Sequence, residues 1–67
     1  MPYVNIRITA GATEEQKAQL IAGTTDLLVK VLNKNPASTF VVIDEVKTED
    51  WGVGGISVAE RTRRAGG

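Results

Sequence analysis

The fold class is decided by residues 39–46, which read Thr-Phe-Val-Val-Ile-Asp-Glu-Val. This run of β-branched and aromatic residues predicts a strand with both of its faces largely covered. Residues 3–8 instead alternate between apolar and polar side chains, as in Val4, Asn5 and Ile6. A period of two predicts a half-buried strand, so the chain has one strand on each side of the intervening segment.

A helix is predicted over residues 14–33, between the two strands. Thr13 and Gln16 have the spacing of a capping box at its start. Its apolar residues recur at helical spacing and form a wide stripe, which consists of Leu20, Ile21, Leu27, Leu28, Val31 and Leu32. A strand, a helix and a second strand make a right-handed β-α-β unit, in which the two strands can pair in parallel. The remaining residues, 47–67, are rich in turn formers, with a short strand or hairpin arm expected at 56–58.

The chain of 67 residues forms one domain at most, residues 1–67. A chain of this length buries only about 60% of the surface that its unfolded form exposes, so a monomeric core would be marginal. The sequence has no cysteine and no histidine, which excludes disulfides and thiolate metal sites. Only oxygen ligands are left for a metal, and no metal site and no cofactor is expected. Because 42% of the residues are apolar, self-association is the expected way to complete the core.

Charge and hydropathy exclude two classes of partner. Eight basic residues balance eight acidic ones, so broad attraction to nucleic acid or to an anionic membrane is not expected. The apolar runs are far shorter than the roughly 20 residues that span a bilayer. The amino terminus leads straight into the alternating pattern, without the features of a signal peptide. A soluble, cytoplasmic protein is therefore predicted.

Pro2 is the candidate catalytic residue. An initiator methionine is normally removed when a small residue follows it, and removal of Met1 would leave Pro2 with a free secondary amine. An α-amino group has a pKa of about 7.7–8.0 in model peptides, and an apolar pocket lowers it further by disfavouring the charged form. Such a base suits the abstraction of a proton next to a carbonyl. The Met-Pro pair alone favours a proline that merely precedes a strand, because a proline at the start of a strand is ordinary.

Four segments in order, MPYVNIRI, TEEQK, FVVIDE and WGVGG, resemble the 4-oxalocrotonate tautomerase family over essentially the entire chain. The segments LNKN and VIDEV resemble its DmpI-like bacterial branch in particular. The resemblance implies an α+β fold: a single β-α-β subunit with parallel strands and a C-terminal hairpin, which assembles as a trimer of dimers into a hexamer. It also implies an isomerase with Pro2 as the general base. Its substrate would be a small enol or keto carbonyl acid, whose proton the enzyme moves between two carbons.

The resemblance places Trp51 where the family commonly carries an aromatic residue of the substrate pocket. A large ring there would exclude water and help to keep the proline amine neutral. Trp51 could instead fill a contact between subunits. The two arginines with which the family binds substrate carboxylates correspond here to Ala12 and to Phe40 or its neighbour Val41. None of these residues is cationic, so a dicarboxylate substrate is not expected.

Other charged residues offer weaker candidates. Arg7 and Arg61 could stand in for the missing arginines, although exposed charges are usually ordinary surface residues. Asp44 and Glu45 point to opposite faces of a strand and are not expected to act as an acid–base dyad. Two alternatives to a tautomerase stay open: a Pro2-dependent lyase, hydratase or dehalogenase on the same scaffold, and a non-catalytic oligomeric protein.

Overall fold

The computed structural model describes residues 1–66 of the chain. Its elements in chain order are β1 (Tyr3–Thr9), α1 (Glu14–Leu32), β2 (Phe40–Val46), β3 (Gly52–Val53), β4 (Ile56–Ser57) and α2 (Val58–Arg64). One-turn 3-10 helices lie on each side of β2. The predicted α+β fold, with a β-α-β unit and a C-terminal hairpin, is therefore confirmed. The predicted single domain extends to Gly67, which lies outside the described residues.

β1 and β2 pair in parallel, with Tyr3 opposite Phe40 and Thr9 opposite Val46. Backbone hydrogen bonds extend this pairing beyond both ends of β1. The N–H of Phe40 donates to the carbonyl oxygen of Pro2 at 3.0 Å, and the N–H of Ala10 donates to that of Val46 at 2.8 Å. The amino terminus is thus held in the sheet, as the alternating pattern that begins at residue 3 predicts.

The two faces of this sheet differ. On the helix face, the side chains of Val4, Ile6, Ile8, Val41 and Ile43 are half-buried beneath α1. The open face consists of Tyr3, Asn5, Arg7, Phe40, Val42 and Asp44. Phe40 is 50% exposed and Val42 is 40% exposed. The expectation that both faces of the second strand are covered is therefore not met within one chain, because α1 is the only long helix of the described residues and it covers one face.

A single chain does not build a closed core. No residue among the described ones is fully buried, and the accessible surface is 5,027 Å², whereas a compact protein of this mass exposes about 4,100 Å². The Cα radius of gyration is 15.6 Å, against about 11 Å for a compact domain of this length. Several apolar residues of α1 also lie in solvent, namely Leu27, Val31 and Leu32. The single chain therefore exposes more surface, including apolar surface, than a compact monomer of its size.

The helix ends follow local signals. Thr13 accepts a hydrogen bond from the N–H of Gln16 at 3.1 Å, and the Gln16 side chain accepts one from the N–H of Thr13 at 2.9 Å. This reciprocal pair is the predicted capping box. Asn33 adopts a left-handed conformation with φ of 54°. It therefore caps α1 rather than belonging to it, and the helix ends one residue earlier than predicted.

α2 was not expected from the sequence. Ser57 caps it by accepting a hydrogen bond from the N–H of Glu60 at 3.0 Å. The pair has the Ser-x-x-Glu spacing that also marks a helix start, so a signal was present. The predicted strand over 56–58 is wrong at its last residue, since Val58 begins the helix. Seven helical residues are too few to show an apolar periodicity, so the apolar pattern of the sequence does not mark this helix.

Candidate active site

Pro2 lies directly before β1 and is half-buried. Its carbonyl oxygen is held by the N–H of Phe40 at 3.0 Å. A proline has no backbone N–H to give to a sheet, so this tether leaves the ring nitrogen outside the ladder. The structure therefore positions Pro2 through its carbonyl oxygen and leaves its ring nitrogen outside the pairing.

Trp51 follows the 3-10 helix Thr48–Asp50 and is half-buried. Its carbonyl oxygen accepts a hydrogen bond from the N–H of Val58 at 2.8 Å. The hairpin that makes this contact possible turns at Gly54 and Gly55, which have φ of 62° and 91°. A turn with positive φ at two consecutive positions favours glycine at both, as found here. The turn brings the chain back beside Trp51.

An open groove of about 520 Å³ lies where Trp51 meets the carboxyl end of the sheet. The residues that line it are Arg7, Asp44, Glu45, Val46, Asp50, Trp51 and Gly52. Sequence reasoning treated Arg7 and Trp51 separately and did not place them together. The available signal was the parallel pairing, which sets Arg7 opposite Asp44, a few residues before Trp51 in the chain.

Asp44 is the centre of a polar cluster on the open face. Its Oδ2 accepts a hydrogen bond from Nδ2 of Asn5 at 2.8 Å and lies 3.5 Å from Nη2 of Arg7. The hydrogen bond from Asn5, and to a lesser degree the contact with Arg7, lowers the pKa of Asp44 from its ordinary value. The carboxylate is therefore ionised at neutral pH, with Asn5 as its closest partner.

Glu45 belongs to the helix face, although it also borders the groove. Its carboxylate forms an ion pair with Lys17 of α1 and accepts a hydrogen bond from the N–H of Gly11 at 3.2 Å. These contacts, with Lys17 the larger cause, lower the pKa of Glu45. Asp44 and Glu45 thus have different partners on different faces, as predicted for neighbours on a strand.

Pro2 and Trp51 are not brought together within one chain. Pro2 precedes β1, whereas the groove that Trp51 lines begins near Arg7. Strands rise by roughly 3.3 Å per residue, so about 16 Å separates Pro2 from Arg7 along β1. A site that contains both residues therefore needs two subunits. The positions of the family arginines also lie apart: Ala12 is in the turn before α1, and Phe40 is beside Pro2.

The other sequence candidates lie elsewhere. Arg61 is exposed on α2 and does not line the groove. Over residues 1–66, no group of three potential metal-ligating side chains is present. In the same part of the chain, no helix has the length and apolarity needed to cross a membrane. The cytoplasmic location stays a prediction from composition.

The model of the tautomerase enzyme family matches residues 2–61. The chain belongs to the tautomerase family. It is 65% identical over 66 residues to the probable tautomerase K2 of Dickeya dadantii (strain 3937), a match that covers 97% of this chain and 98% of the relative. It is 56% identical over 61 residues to a probable tautomerase of Helicobacter pylori (strain ATCC 700392 / 26695), with 87% and 90% covered. Since these relatives are named tautomerases, the chain is an enzyme of the isomerase class.

Solved structures agree with this assignment. The crystal structure of DmpI from Helicobacter pylori has a TM-score of 0.83 and 51% identity, and the match covers 92% of this chain and 97% of that one. TomN, a 4-oxalocrotonate tautomerase homologue of tomaymycin biosynthesis, has a TM-score of 0.90 and 29% identity, with 92% and 95% covered. A heterohexamer 4-oxalocrotonate tautomerase from Chloroflexus aurantiacus J-10-fl has a TM-score of 0.84 and 33% identity, with 90% and 97% covered. The expected resemblance to the 4-oxalocrotonate tautomerase family is confirmed.

Proposed function

We propose that Pro2, freed by the removal of Met1, is the general base of this tautomerase and moves a proton between two carbons of a small enol or keto carbonyl acid. The observation that carries the proposal is that the family match begins at Pro2 and leaves Met1 outside it. The tether from Phe40 supports it, because it fixes the residue without engaging the ring nitrogen.

The chemistry follows from the state of that nitrogen. As a neutral secondary amine, it takes a proton from the donor carbon or enol, and the proline ammonium then returns the proton to another carbon. An amine whose pKa lies near neutrality serves both steps, because it can gain and lose the proton at the working pH. The negative charge that develops on the substrate oxygen needs a hydrogen-bond donor to stabilise it.

Trp51 of a second subunit is the proposed wall of the Pro2 site. Its indole ring would exclude water and favour the neutral amine. The separation of Pro2 and Trp51 along the sheet supports a site shared between subunits. The excess surface of the single chain supports an assembly, for which we propose a hexamer built as a trimer of dimers. The heterohexamer from Chloroflexus aurantiacus gives a precedent among the structural neighbours.

The test combines intact mass with an assay of ketonisation of a simple 2-hydroxydienoate. We expect the working protein to lack Met1 and Pro2→Ala to lose about 100-fold or more in kcat/KM, which is the scale of general acid–base catalysis. A second form, with an uncleaved extension on Met1, locks the nitrogen in a peptide bond and should be equally impaired. Pro36→Ala, at the other proline of the chain, is the matched control and should keep full activity. Equal rates for native, Pro2→Ala and extended proteins would refute the role of Pro2.

A further inference from the structure

Arg7 is the one cationic side chain among the described residues that line the Trp51 groove. Resting on the function proposed above, we infer that Arg7 binds the carboxylate of the substrate and that the substrate is a monocarboxylate. Arg7 lies within β1, whereas Ala12 precedes α1 and Phe40 begins β2, so this role does not restore the arginine pair of the family at its own positions.

The guanidinium of Arg7 contacts Asp44 through one nitrogen and has further N–H donors that this contact does not use. Only Nη2 contacts Asp44, at 3.5 Å, which is at the outer limit of a hydrogen bond. Asp44 already has a closer donor in Asn5, at 2.8 Å, so it does not depend on Arg7 to be satisfied. The Arg7 side chain is 65% exposed, and a guanidinium has five N–H donors in a planar fork. A second carboxylate can therefore bind to it in bidentate fashion.

The other charges of the groove limit the number of substrate carboxylates that it can accept. Asp44 and Asp50 line the same groove, and the hydrogen bond from Asn5 lowers the pKa of Asp44. Glu45 is neutralised by its ion pair with Lys17. A substrate with one carboxylate meets Arg7, whereas a second carboxylate meets no further cation and two negative groups. The groove thus selects against dicarboxylates by like-charge repulsion.

The position of Arg7 also fits the shared site. Arg7 and Trp51 border one groove of one subunit, so the subunit that supplies the ring to Pro2 of its neighbour supplies the cation as well. The indole ring would cover the unsaturated body of the substrate while Arg7 holds its acidic end. Two anchors of one subunit would then orient the reacting carbons toward the proline of the other.

Binding can be measured without turnover, because Trp51 is the only tryptophan and its fluorescence reports on the groove. The probes are 2-oxohexanoate, its methyl ester and 2-oxoadipate, which share a six-carbon chain and differ in charge. We expect the native protein to bind 2-oxohexanoate more tightly than either other probe. Arg7→Gln should weaken its binding about tenfold or more, as expected for loss of a charge-assisted pair, and leave the ester unaffected.

Three variants complete the experiment. Arg7→Lys keeps the charge but loses the fork and should bind 2-oxohexanoate with intermediate affinity. Asp50→Asn should improve the binding of 2-oxoadipate relative to 2-oxohexanoate. Arg63→Gln is the control, since Arg63 pairs with Glu60 on α2, outside the groove, and should bind all probes as the native protein does. Circular dichroism checks that each variant is folded.

The inference is overturned if Arg7→Gln binds 2-oxohexanoate as tightly as the native protein, if the native protein does not bind it, or if 2-oxoadipate binds at least as tightly. This failure can be told apart from failure of the proposed function. If Pro2→Ala loses activity but Arg7→Gln binds 2-oxohexanoate as the native protein does, only the inference about Arg7 is refuted. If the Pro2→Ala variant stays fully active, the general-base proposal is refuted, and the binding data still test the role of Arg7.

Discussion

The two faces of the β1–β2 sheet are built from alternate residues of the same strands, yet they have different roles. On the helix face, Val4, Ile6 and Ile43 are half-buried beneath α1. On the open face, Tyr3 is 64% exposed and Phe40 is 50% exposed. The first face completes a contact within the chain, whereas the second presents apolar side chains that only another molecule can cover. One strand pattern thus encodes both folding and association.

The polar ends of the two faces differ as well. The helix face ends in the ion pair of Glu45 with Lys17, which fastens β2 to α1. The open face ends in Asn5, Asp44 and Arg7, which lead into the Trp51 groove. The Glu45 carboxylate on the helix face is paired with Lys17. On the open face, only one nitrogen of the Arg7 guanidinium contacts Asp44. The face that α1 does not cover is therefore also the face that borders the Trp51 groove.

The largest effect is expected from Val42→Asp on the open face. If another subunit covers Val42, the new carboxylate is buried without a partner, which costs several kcal/mol and should break the assembly. Light scattering should give about six chains for the native protein and fewer for the variant. Val42→Thr is the matched control, because it keeps the β-branched shape without a charge and should retain the native mass. An unchanged mass for Val42→Asp would mean that the open face stays in solvent.

A smaller effect is expected from Thr13→Ala, at the start of the helix that covers the helix face. Loss of the side-chain acceptor leaves the N–H of Gln16 without its partner, and loss of such a cap costs roughly 1 kcal/mol. Urea unfolding at one fixed protein concentration measures the change, since association shifts the apparent stability. Thr13→Ser keeps the hydroxyl and should unfold close to the native midpoint. Equal losses for both variants would assign the effect to the methyl group instead.

The smallest effect is expected from Glu45→Gln, and it depends on pH. Folding lowers the pKa of Glu45 below its ordinary value of 4.5. A lowered pKa gives stability that is present above the ordinary value and is lost as the pH falls through the lowered one. The unfolding midpoint of the variant should therefore lie below that of the native protein at pH 7, and the gap should narrow as the pH falls below 4.5 and through the lowered pKa.

Glu49→Gln is the control for this pH series, because Glu49 lies in the 3-10 helix before Trp51 and has no ion pair with the described residues. It should follow the native curve at all pH values. A gap between Glu45→Gln and the native protein that does not narrow as the pH falls below 4.5 would show that Glu45 acts through packing rather than through its charge.

Short-range signals were sufficient for most of the fold. The capping box of Thr13 and Gln16, the alternation of β1 and the β-branched run of β2 each depend on residues close in the chain. The same kind of signal marked α2 at Ser57 and Glu60, but the helix is too short for a periodic stripe to support it. The error at Val58 thus came from a weak pattern rather than from a tertiary effect.

The sequence by itself determined the β-α-β unit and the need for partners, because these follow from local pattern and chain length, and its resemblance to the family made Pro2 the candidate base. Only the tertiary structure decided that Arg7 borders the groove of Trp51 and that Pro2 lies at the other end of the sheet. Both facts depend on the register between strands that are far apart in the chain and on the hairpin that returns beside Trp51. Periodicity shows which face of a strand a residue occupies, but the pairing of strands decides which residues become neighbours.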